Sequence, residues 1–518
     1  MGIATRKLAR DGVSGVPCPH PEPGERTAAA DLSRRMGGAH RLLTALSHCG
    51  PRPPSGWPAA WRGEQGPVRS DTNLGGRCKH PAKGDHVDVR AWNIRGGRPL
   101  AGEIHVGGSK YSALPAIPAM LLADGASVLH NVPQIRDVRA YLDMLASCGA
   151  TVHQDGADLR LDPQGLRPCY PPPVWSATLR ASTYMLAVQL ALWGTAQVGL
   201  PGGDRIGTRP LDLHIKALTA MGADIGIGAD GMLRAQARRL HGAHIYLDQP
   251  SVGATVQVML AAVRAEGETR LENAYVAPFV VDLANMLGAM GAEIHGAGTS
   301  RMRIVGRSRL YPTEHTLIGD QAEAFIFLAA GAATRGRVRA VGIDQSDVGS
   351  GLAKLREAGA EWAAGPGWVE VSGPERLRAV DAQTGPLPAF YTDYHPPLAA
   401  ALATASGVSR LVETVWPERF SYAEGLRAMG ADIRVDGNAA LVRGGRLRGS
   451  TVQAGESRAV AAYAIAACAA SGDSLVTGVE HVDRVCGHFV AKLQELGAAV
   501  AETVREAAAG CESSAQRA

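Results

Sequence analysis

A helix followed by a glycine and a short strand recurs along this chain at a nearly constant spacing. Clear copies read YLDMLASCGATV, HIKALTAMGADI and EGLRAMGADI, and the copies end at six glycines, Gly149, Gly222, Gly291, Gly359, Gly430 and Gly497. Successive glycines lie 73, 69, 68, 71 and 67 residues apart. Leucine and methionine recur at helical spacing before each glycine, which suits a left-handed C-cap, and a β-prone run follows. The repeat therefore predicts six copies of one α/β unit.

A second helix, apolar on nearly every face, separates successive copies. Examples are STYMLAVQLALWG, GATVQVMLAAVRAEG and EAFIFLAAGAATRG. A helix that is apolar all round belongs in a core that other elements surround. Units of about 70 residues are too large for a thin solenoid. The pattern therefore predicts two domains of three units each, with sheets outside and apolar helices inside.

The N-terminal segment differs in composition from the rest of the chain. Residues 1–90 hold 14 Lys+Arg against 8 Asp+Glu and ten of the 31 prolines, in stretches such as PCPHPEP. We interpret residues 1–86 as a disordered, Pro-rich basic extension, and residues 506–518 as a flexible tail. A basic extension could contact an acidic surface or nucleic acid, but a dispensable extension or a misassigned start fits the composition better.

Several classes of protein are excluded by composition. No run of 18 or more apolar residues occurs and the N-terminus lacks the apolar core of a secretory signal, so we expect a cytoplasmic protein without a membrane partner. The eight cysteines form no CxxC pair, which indicates neither a zinc site nor a disulfide framework, and we expect reduced thiols. No basic stripe with interleaved aromatics occurs, which argues against a nucleic-acid partner.

Basic residues stand at helix starts and turns of several units. Two of them directly precede an apolar helix, whose N-terminus favours phosphate and carboxylate groups. Cations that converge from several repeats suit a small polyanion, so phosphorylated metabolites are the predicted substrate class. The residues are Lys110 in HVGGSKYSALP, Arg180 in LRAST, Arg209 in GTRPLDLH, Arg356 in LAKLREAGA, Arg419 in WPERF and Arg458 in GESRAV.

Three acidic residues are candidate proton carriers. Asp320 in LIGDQAEAF and Asp393 in FYTDYHPP each stand just before an apolar helix, where helix capping is an equally good role. Asp204 lies in the glycine-rich loop LPGGDRIGTRP, with two glycines before it and Ile-Gly shortly after. A carboxylate at the tip of a loop that is rich in glycine and arginine favours a chemical role.

Over residues 87–505 these motifs resemble the enolpyruvyl transferases, and among them most closely the UDP-N-acetylglucosamine 1-carboxyvinyltransferases. The resemblance implies an α/β fold of two inside-out α/β barrel domains, each of three repeated βαβαββ-type units. Residues 110–318 would form the first domain, and residues 87–109 plus 319–505 the second. It also implies that no metal or organic cofactor is needed. The motifs are GGSKYSALP, LRAST, LPGGDRIGTRPLDLH, SVGATVQVML, GDQAEA, FYTD, ETVWPERF and GESRA.

The reaction that the resemblance implies joins two small molecules. The enolpyruvyl group of phosphoenolpyruvate would pass to the 3-hydroxyl of UDP-N-acetylglucosamine, a step of peptidoglycan synthesis, through a tetrahedral ketal that then releases phosphate. Lys110, Arg209 and Arg458 match positions that hold the phosphate and carboxylate of phosphoenolpyruvate, with Arg180 and Arg356 nearby. Several fixed cations are needed because such an anion loses its hydration in a closing site.

The remaining family positions concern proton transfer and uridine binding. Asp320 matches the carboxylate that takes the proton of the attacking hydroxyl and also touches the uridine nucleotide, and Asp393 matches a second acidic residue at the reacting centre. The uridine ring would be held by one segment and the diphosphate by another. These are Arg209, Pro210, Leu211, Asp212 and Leu213, and Ser251, Val252 and Gly253.

Asp204 occupies the position at which most family members have cysteine, in a GGCxIGxRP loop. That residue protonates the methylene carbon of phosphoenolpyruvate and is alkylated by fosfomycin. An aspartate can donate the same proton if burial holds its pKa up, although neighbouring arginines act in the opposite direction. Because a carboxylate is a poorer nucleophile than a thiolate, we predict a general acid at Asp204 and an enzyme that is insensitive to fosfomycin.

Two departures from the family pattern leave the acceptor open. Tyr111 stands where the cell-wall enzymes have asparagine, and Gln249 where they commonly have lysine. A bulky ring and a lost cation suggest a smaller or less charged acceptor, so the alternative is transfer to the ribose 3′-hydroxyl of UMP in nucleoside-antibiotic biosynthesis. A catalytically silent ligand-binding homologue is a further alternative, which the retained acid and base set argues against. A shikimate acceptor is disfavoured by the uridine segment RPLDLH.

Overall fold

The structure is a computed structural model that describes residues 88–168, 173–204, 206–207, 209–228 and 230–506. These residues belong to one compact unit. The predictions for residues 1–86 and for the tail beyond Glu506 lie outside the described residues.

Two sets of helices alternate along the described chain. The first set is buried on nearly every face, as the apolar segments predict: α1 (Lys110–Met120), α4 (Tyr184–Trp193), α6 (Val252–Ala262), α8 (Gln321–Ala333), α10 (His395–Leu402) and α12 (Ser457–Ala469). The second set buries one face: α2 (Arg136–Ser147), α5 (Asp212–Ala220), α7 (Pro278–Ala289), α9 (Gln345–Glu357), α11 (Tyr422–Ala428) and α13 (Phe489–Glu495). The short helix α3 (Pro173–Thr178) lies outside this alternation.

The repeated glycines end the second set of helices. All six have φ between 84 and 97°, in the left-handed region that other residues avoid. Each stands two residues after the last helical residue, as Gly149 does after Ser147 and Gly497 after Glu495. The left-handed conformation of the glycine ends the helix, and the chain then enters a strand. The sequence repeat therefore reports a backbone requirement at the end of each of these helices.

Strands form six sheets in the described part of the chain, in the orders β21-β22-β1-β23, β11-β12-β10-β9, β13-β3-β5-β4, β15-β16-β14-β2, β17-β18-β20-β19 and β6-β8-β7. Their bounds are β1 (Asp88–Arg95), β2 (Ala101–His105), β3 (Ser127–His130), β4 (Thr151–Asp155), β5 (Asp158–Asp162), β6 (Thr195–Gly199), β7 (Asp224–Ile227), β8 (Met232–Gln236), β9 (His244–Tyr246), β10 (Glu268–Glu272), β11 (Glu293–His295), β12 (Arg301–Val305), β13 (Glu314–Thr316), β14 (Arg337–Val341), β15 (Glu361–Gly365), β16 (Trp368–Ser372), β17 (Ala382–Gln383), β18 (Val408–Val412), β19 (Asp432–Asp436), β20 (Ala439–Arg443), β21 (Thr451–Gln453), β22 (Asp473–Thr477) and β23 (Ala499–Glu506).

The sheets share one pairing scheme. The strand after a buried helix pairs antiparallel with the second strand of a hairpin, as β18 does with β20. In five of the six sheets of the described chain its other edge takes a parallel strand, as β17 does beside β18 and β2 beside β14, whereas β6 in the sheet β6-β8-β7 has none. In the last unit the N-terminal β1 lies between β22 and β23 and is antiparallel to both. The two ends of the described chain are thus joined in one sheet.

Two hydrophobic cores are present in the described residues. One is built from residues between Ala113 and Leu317, and the other from Trp92–Val106 together with Ala322–Val500. Along strands such as β5 and β18, buried residues alternate with exposed ones, so each sheet covers a core with one face. Tyr111 and Leu387 pack against both cores. The assignment of domains to residues 110–318 and to 87–109 plus 319–505 stays a prediction.

Two further observations concern cysteines and membranes. Cys468 and Cys486 are buried free thiols, but Cys148 is disulfide-bonded, which differs from the expectation of reduced thiols throughout. The scattered spacing of the cysteines gave no signal for that bond. No helix of the described residues is both long enough and apolar enough to cross a membrane.

Candidate active site

One cavity of about 410 Å³ collects the starts of several buried helices. Lys110 is the first residue of α1, Ser251 caps the N-terminus of α6, and Ser457 is the first residue of α12. All three line the cavity. Helix N-termini carry unpaired N–H groups and the positive end of the helix dipole. The backbone alone therefore makes this cavity favourable for an anion.

Lys110 and Arg484 share one carboxylate at the wall of the cavity. Lys110 Nζ lies 2.8 Å from Asp137 Oδ2, and Arg484 Nη2 donates to the same oxygen at 3.1 Å. The three side chains are at most 11% exposed. Asp137 comes from the first turn of α2, and Arg484 ends the 3₁₀ helix Val479–Arg484. Since one negative charge serves two cations, this group keeps a net positive charge toward the cavity.

The Asp204 carboxylate is held from two sides. Its Oδ2 accepts a hydrogen bond from Ser457 Oγ at 2.8 Å, and its Oδ1 lies 3.4 Å from Arg484 Nε. Burial alone would raise the pKa of Asp204, but the charges of Lys110, Arg484 and Arg458 and the hydrogen bond from Ser457 together lower it below its ordinary value. Asp204 is therefore ionised at neutral pH.

The two glycines before Asp204 are required by close contacts. A Cβ on Gly202 would lie 1.7 Å from the carbonyl oxygen of Ala177. Gly203 has a φ of 117°, and a Cβ there would lie 2.5 Å from Arg209 Nη2. The same Nη2 donates to the carbonyl oxygens of Gly202 and Asp204 at 3.1 Å. The loop thus wraps around the Arg209 guanidinium and carries Asp204 to the cavity.

Arg180 and Arg209 face the cavity without a carboxylate partner within salt-bridge distance among the described residues. Arg180 Nη2 donates only to the carbonyl oxygen of Pro210 at 3.2 Å. Burial and the nearby charge of Arg209 lower the pKa of Arg180 to about 10, and burial is the main cause that lowers the pKa of Arg209. Two half-buried cations that repel each other are only partly compensated by their surroundings. An anion bound in the cavity would supply the missing compensation.

A second carboxylate, Asp393, also lines the cavity. Arg419 Nη1 lies 2.7 Å from its Oδ1, and Arg458 Nη2 lies 2.8 Å from its Oδ2. Tyr111 OH donates to Oδ2 at 2.9 Å. Burial would raise the pKa of Asp393, but the two arginines dominate and hold it far below its usual range. Asp393 is therefore an ionised hydrogen-bond acceptor within the cavity.

Tyr111 belongs to an aromatic wall of the cavity. Its ring stacks on Phe279 with a centroid distance of 5.3 Å and meets Tyr391 edge-on at 6.3 Å. Tyr275 and Tyr391 line the cavity beside it. Burial raises the pKa of Tyr111, so the phenol stays protonated and remains a donor. The ring fills space that a smaller residue would leave to a ligand.

The predicted uridine segment also lines the cavity. Pro210, Asp212 and Leu213 lie along it, as do Gln249 and the stretch from Ser251 to Gly253. His214 lies next to Gly253, where a Cβ would come within 2.6 Å of the imidazole ring. Burial lowers the pKa of His214 to about 4, so the ring is neutral and bonds Gln257. The neutral His214 ring adds no charge to this part of the cavity, which suits a neutral heterocycle.

Three predicted residues are not brought to the cavity. Asp320 is the N-cap of α8, and its carboxylate accepts from the backbone N–H groups of Ala322, Glu323 and Lys110. Arg356 is exposed on α9, with its guanidinium 4.4 Å from the ring centroid of Trp362. Leu211 is half-buried outside the lining residues. In the described chain, no group of three or more His, Cys, Asp or Glu could hold a metal ion.

Several cavity residues received no role from the sequence. Asp137, Ser457 and Arg484 were not singled out, and Arg419 was noted only as a recurring cation. Their contacts join positions 347 and 253 residues apart, for which a local pattern gives no signal. One signal was available, because Asp137 and Arg484 occupy similar positions in their repeats, shortly before Gly149 and Gly497. Residues at which otherwise similar units differ in charge deserve a search of this kind.

Comparison with known proteins identifies the family of this chain. A family model described as EPSP synthase (3-phosphoshikimate 1-carboxyvinyltransferase) matches residues 94–493. A UDP-N-acetylglucosamine 1-carboxyvinyltransferase 3 of Symbiobacterium thermophilum is 46% identical over 410 residues, which is 79% of this chain and 96% of the relative. One of the same name from Caldanaerobacter subterraneus subsp. tengcongensis is 42% identical over 406 residues, 78% of this chain and 97% of the relative.

Solved structures show the same architecture. The enolpyruvyl transferase NikO from Streptomyces tendae superposes with a TM-score of 0.74 at 25% identity, covering 81% of this chain and 100% of that one. An EPSP synthase from Acinetobacter baumannii, at 19% identity, shares the fold with a TM-score of 0.65, covering 80% of this chain and 100% of that one. The predicted α/β fold and the family resemblance are thereby confirmed. The chain belongs to the EPSP synthase family and is a carboxyvinyl (enolpyruvyl) transferase.

Proposed function

We propose that this enzyme transfers the enolpyruvyl group of phosphoenolpyruvate to the 3-hydroxyl of UDP-N-acetylglucosamine and releases phosphate. The observation that carries the proposal is the pair Arg180 and Arg209, two half-buried cations that face the cavity without a carboxylate partner within salt-bridge distance among the described residues. The names of the relatives at 46 and 42% identity support the choice of acceptor.

Phosphoenolpyruvate would bind where the cations are densest. Lys110 and Arg484 are already oriented by Asp137, and Arg458 is paired with Asp393. Phosphate and carboxylate oxygens would take over part of the pairing that the two aspartates now provide, since charge-assisted hydrogen bonds to such oxygens are strong. The bound anion would also offset the repulsion between Arg180 and Arg209.

The reaction would use one carboxyl group as a general acid and another as a general base. The acceptor hydroxyl oxygen attacks C2 of phosphoenolpyruvate while Asp204 delivers a proton to the methylene carbon, which forms the tetrahedral ketal. The Asp204 carboxylate then takes a proton back from the new methyl carbon, the bond between C2 and the phosphate oxygen breaks, and phosphate leaves the enolpyruvyl ether behind. A bound anion would pair with Lys110, Arg484 and Arg458 and so weaken their effect on Asp204. The pKa of Asp204 would then rise toward the range that a general acid needs.

We assign the hydroxyl's proton to Asp393 rather than to Asp320. Asp393 lines the cavity and is kept ionised by Arg419 and Arg458, so it can accept a hydrogen bond from the attacking hydroxyl. The Asp320 carboxylate is already used by backbone N–H groups at the start of α8 and is 2% exposed. If Arg458 turns toward the bound anion, Asp393 loses part of its stabilisation and becomes a stronger base.

The 3′-hydroxyl of UMP is the second candidate acceptor, and the aromatic wall favours it. Tyr111 fills space next to Asp393, where the reacting hydroxyl must lie, and Gln249 replaces a cation at the mouth of the uridine segment. UMP, which has one phosphate and no second sugar, needs less room beside Asp393 and less positive charge than UDP-N-acetylglucosamine. Both candidates use the same anion site and the same acid.

Phosphate release from phosphoenolpyruvate, with product mass measured in parallel, tests the proposal. The panel is UDP-N-acetylglucosamine, UDP, UMP and shikimate 3-phosphate, and the Asp204→Asn variant is the matched control. We expect turnover with UDP-N-acetylglucosamine that the variant lacks. Turnover with UMP alone would show that UMP, not UDP-N-acetylglucosamine, is the acceptor. A faster reaction with shikimate 3-phosphate would refute the uridine assignment. Binding of nucleotide without turnover would indicate a silent homologue.

A further inference from the structure

Ser457 connects the start of α12 to the loop that carries Asp204. Its hydroxyl donates to Asp204 Oδ2 at 2.8 Å, although the two residues are 253 positions apart. Ser457 is 1% exposed and the Asp204 side chain is 14% exposed, so water competes little for this bond. The bond is therefore a fixed feature of the cavity and not a surface contact.

The two oxygens of the Asp204 carboxylate have different neighbours. Oδ2 accepts from Ser457, whereas Oδ1 lies 3.4 Å from Arg484 Nε, close enough for an ion pair. That Nε makes no hydrogen bond in the described structure, so the contact lacks the alignment of a good one. Oδ1 is therefore the oxygen that is left available for a proton.

We propose that Ser457 is a positioning residue for proton delivery by Asp204. By donating to Oδ2 it fixes the plane of the carboxyl group and leaves Oδ1 to carry the proton toward the methylene carbon. In the transfer the O–H bond at Oδ1 breaks, a C–H bond forms, and the carboxylate that remains keeps the hydrogen bond from Ser457. This inference rests on the proposed function, because it assigns a partner to the acid of that reaction.

A neutral hydroxyl suits this task because Asp204 must change its charge. The charged groups that face it in the described structure are Lys110 on α1, Arg484 on the 3₁₀ helix, Arg458 on α12, Glu456 at the N-cap of α12 and Arg209 on its own loop. The cations favour only the ionised carboxylate, and Glu456 favours the protonated one. A hydroxyl can stay hydrogen-bonded to Oδ2 in both states, so the geometry survives the transfer.

Kinetics of Ser457→Ala and Ser457→Thr test the role. We expect Ser457→Ala to lower kcat about tenfold, which corresponds to the loss of one hydrogen bond to a charged group, and to leave KM for phosphoenolpyruvate within about threefold. Because Ser457 favours the ionised carboxylate, its loss should move the high-pH fall of kcat to higher pH. Ser457→Thr, which keeps the hydroxyl, should restore both kcat and the profile.

The Asp204→Cys background separates positioning from damage to the fold. A thiol has a single sulfur atom and lacks the second atom that Ser457 binds in the carboxyl group. Ser457→Ala should therefore change the kcat of the Asp204→Cys enzyme less than about threefold. An equal loss in both backgrounds would overturn the proposal, since it would mean that Ser457 acts on the structure of the cavity. An unchanged kcat and pH profile in the Asp204 enzyme would overturn it as well.

A titration that needs no acceptor keeps this inference distinct from the proposed function. The ¹³C carboxyl signal of Asp204, assigned by its absence from Asp204→Asn, is followed with pH in wild type and in Ser457→Ala. We expect a higher pKa in Ser457→Ala and wild-type behaviour in Ser457→Thr. If no uridine nucleotide is turned over but this shift appears, the proposed function fails and the Ser457 contact stands. Identical titrations would refute the contact whatever the acceptor is.

Discussion

Lys110 Nζ lies 2.8 Å from Asp137 Oδ2 at the wall of the cavity, and the same oxygen accepts from Arg484 at 3.1 Å. The three groups come from α1, α2 and the 3₁₀ helix Val479–Arg484, which are far apart in the sequence. Asp137 thus fixes the direction of two cations before any ligand arrives. Preorganised charge of this kind reduces what a bound anion must reorganise.

Replacement of Asp137 should lower the stability of the fold. Asp137→Ala leaves two buried cations with one partner fewer, and we expect the free energy of unfolding to fall by about 3 kcal/mol. Asp143→Ala, an exposed position of the same helix, is the control and should change it by less than about 0.5 kcal/mol. Denaturant unfolding measures both. Equal effects of the two variants would show that Asp137 is not an energetic centre of the cavity.

Arg180 should behave in the opposite way. Its half-buried guanidinium lies near Arg209 and donates only to a backbone carbonyl in the described structure, so it contributes little to stability. We expect Arg180→Met to keep the thermal midpoint within about 2 °C of wild type and to raise KM for phosphoenolpyruvate about tenfold. The control is Arg356→Met, which removes an exposed cation outside the cavity and should leave KM unchanged. A raised KM in Arg356→Met would return that residue to the site.

The repeat predicted the fold because it records local requirements. The six glycines must adopt a left-handed conformation, and the six apolar helices must be enclosed on every side, so both leave a periodic mark in the sequence. Neither periodic pattern depends on which distant residues make the surrounding contacts. For the same reason the pattern could not reveal that β1 lies between β22 and β23, because that pairing joins the two ends of the described chain.

The site was predictable only in part. Lys110, Arg209, Arg458, Asp204 and Asp393 stand in motifs that resemble the family, and all of them line the cavity. Asp320 stands in such a motif as well, but an aspartate before a helix has two possible roles, and here capping uses its carboxylate. The partners of these residues, such as Ser457 for Asp204, depend on the three-dimensional structure and carry no local signal.

Tyr111 should control the choice of acceptor. Tyr111→Asn removes the ring from the aromatic wall, and we expect kcat/KM for UDP-N-acetylglucosamine to rise at least about tenfold relative to UMP, the effect of a relieved steric conflict. Tyr111→Phe keeps the ring, removes the donor to Asp393, and should leave that ratio unchanged. A shift of the ratio in Tyr111→Phe would show that the hydroxyl, not the ring, selects the acceptor.

Fosfomycin distinguishes the natural residue at position 204 from the more common one. A carboxylate opens the epoxide much less readily than a thiolate, so we expect the wild-type enzyme to be insensitive. Asp204→Cys should keep activity and acquire time-dependent inactivation, which prior incubation with phosphoenolpyruvate should slow if both occupy the same cavity. Inactivation of the wild-type enzyme would remove the chemical basis of this prediction.

Proton uptake tests whether Asp204 is the acid. Lys110, Arg484, Arg458 and Ser457 lower its pKa despite burial, so the group is ionised at neutral pH and must gain a proton before it can donate one. When a bound anion takes charge from these cations, its pKa should rise and the complex should take up a proton. Calorimetry in buffers with different ionisation enthalpies should therefore show more proton uptake for wild type than for Asp204→Asn with phosphoenolpyruvate and nucleotide.

The variant should bind both ligands but lose about two to four orders of magnitude in kcat, the usual range for a general acid. Near-normal turnover by a folded Asp204→Asn enzyme, or equal proton uptake by the two proteins, would assign the proton to another group of the cavity.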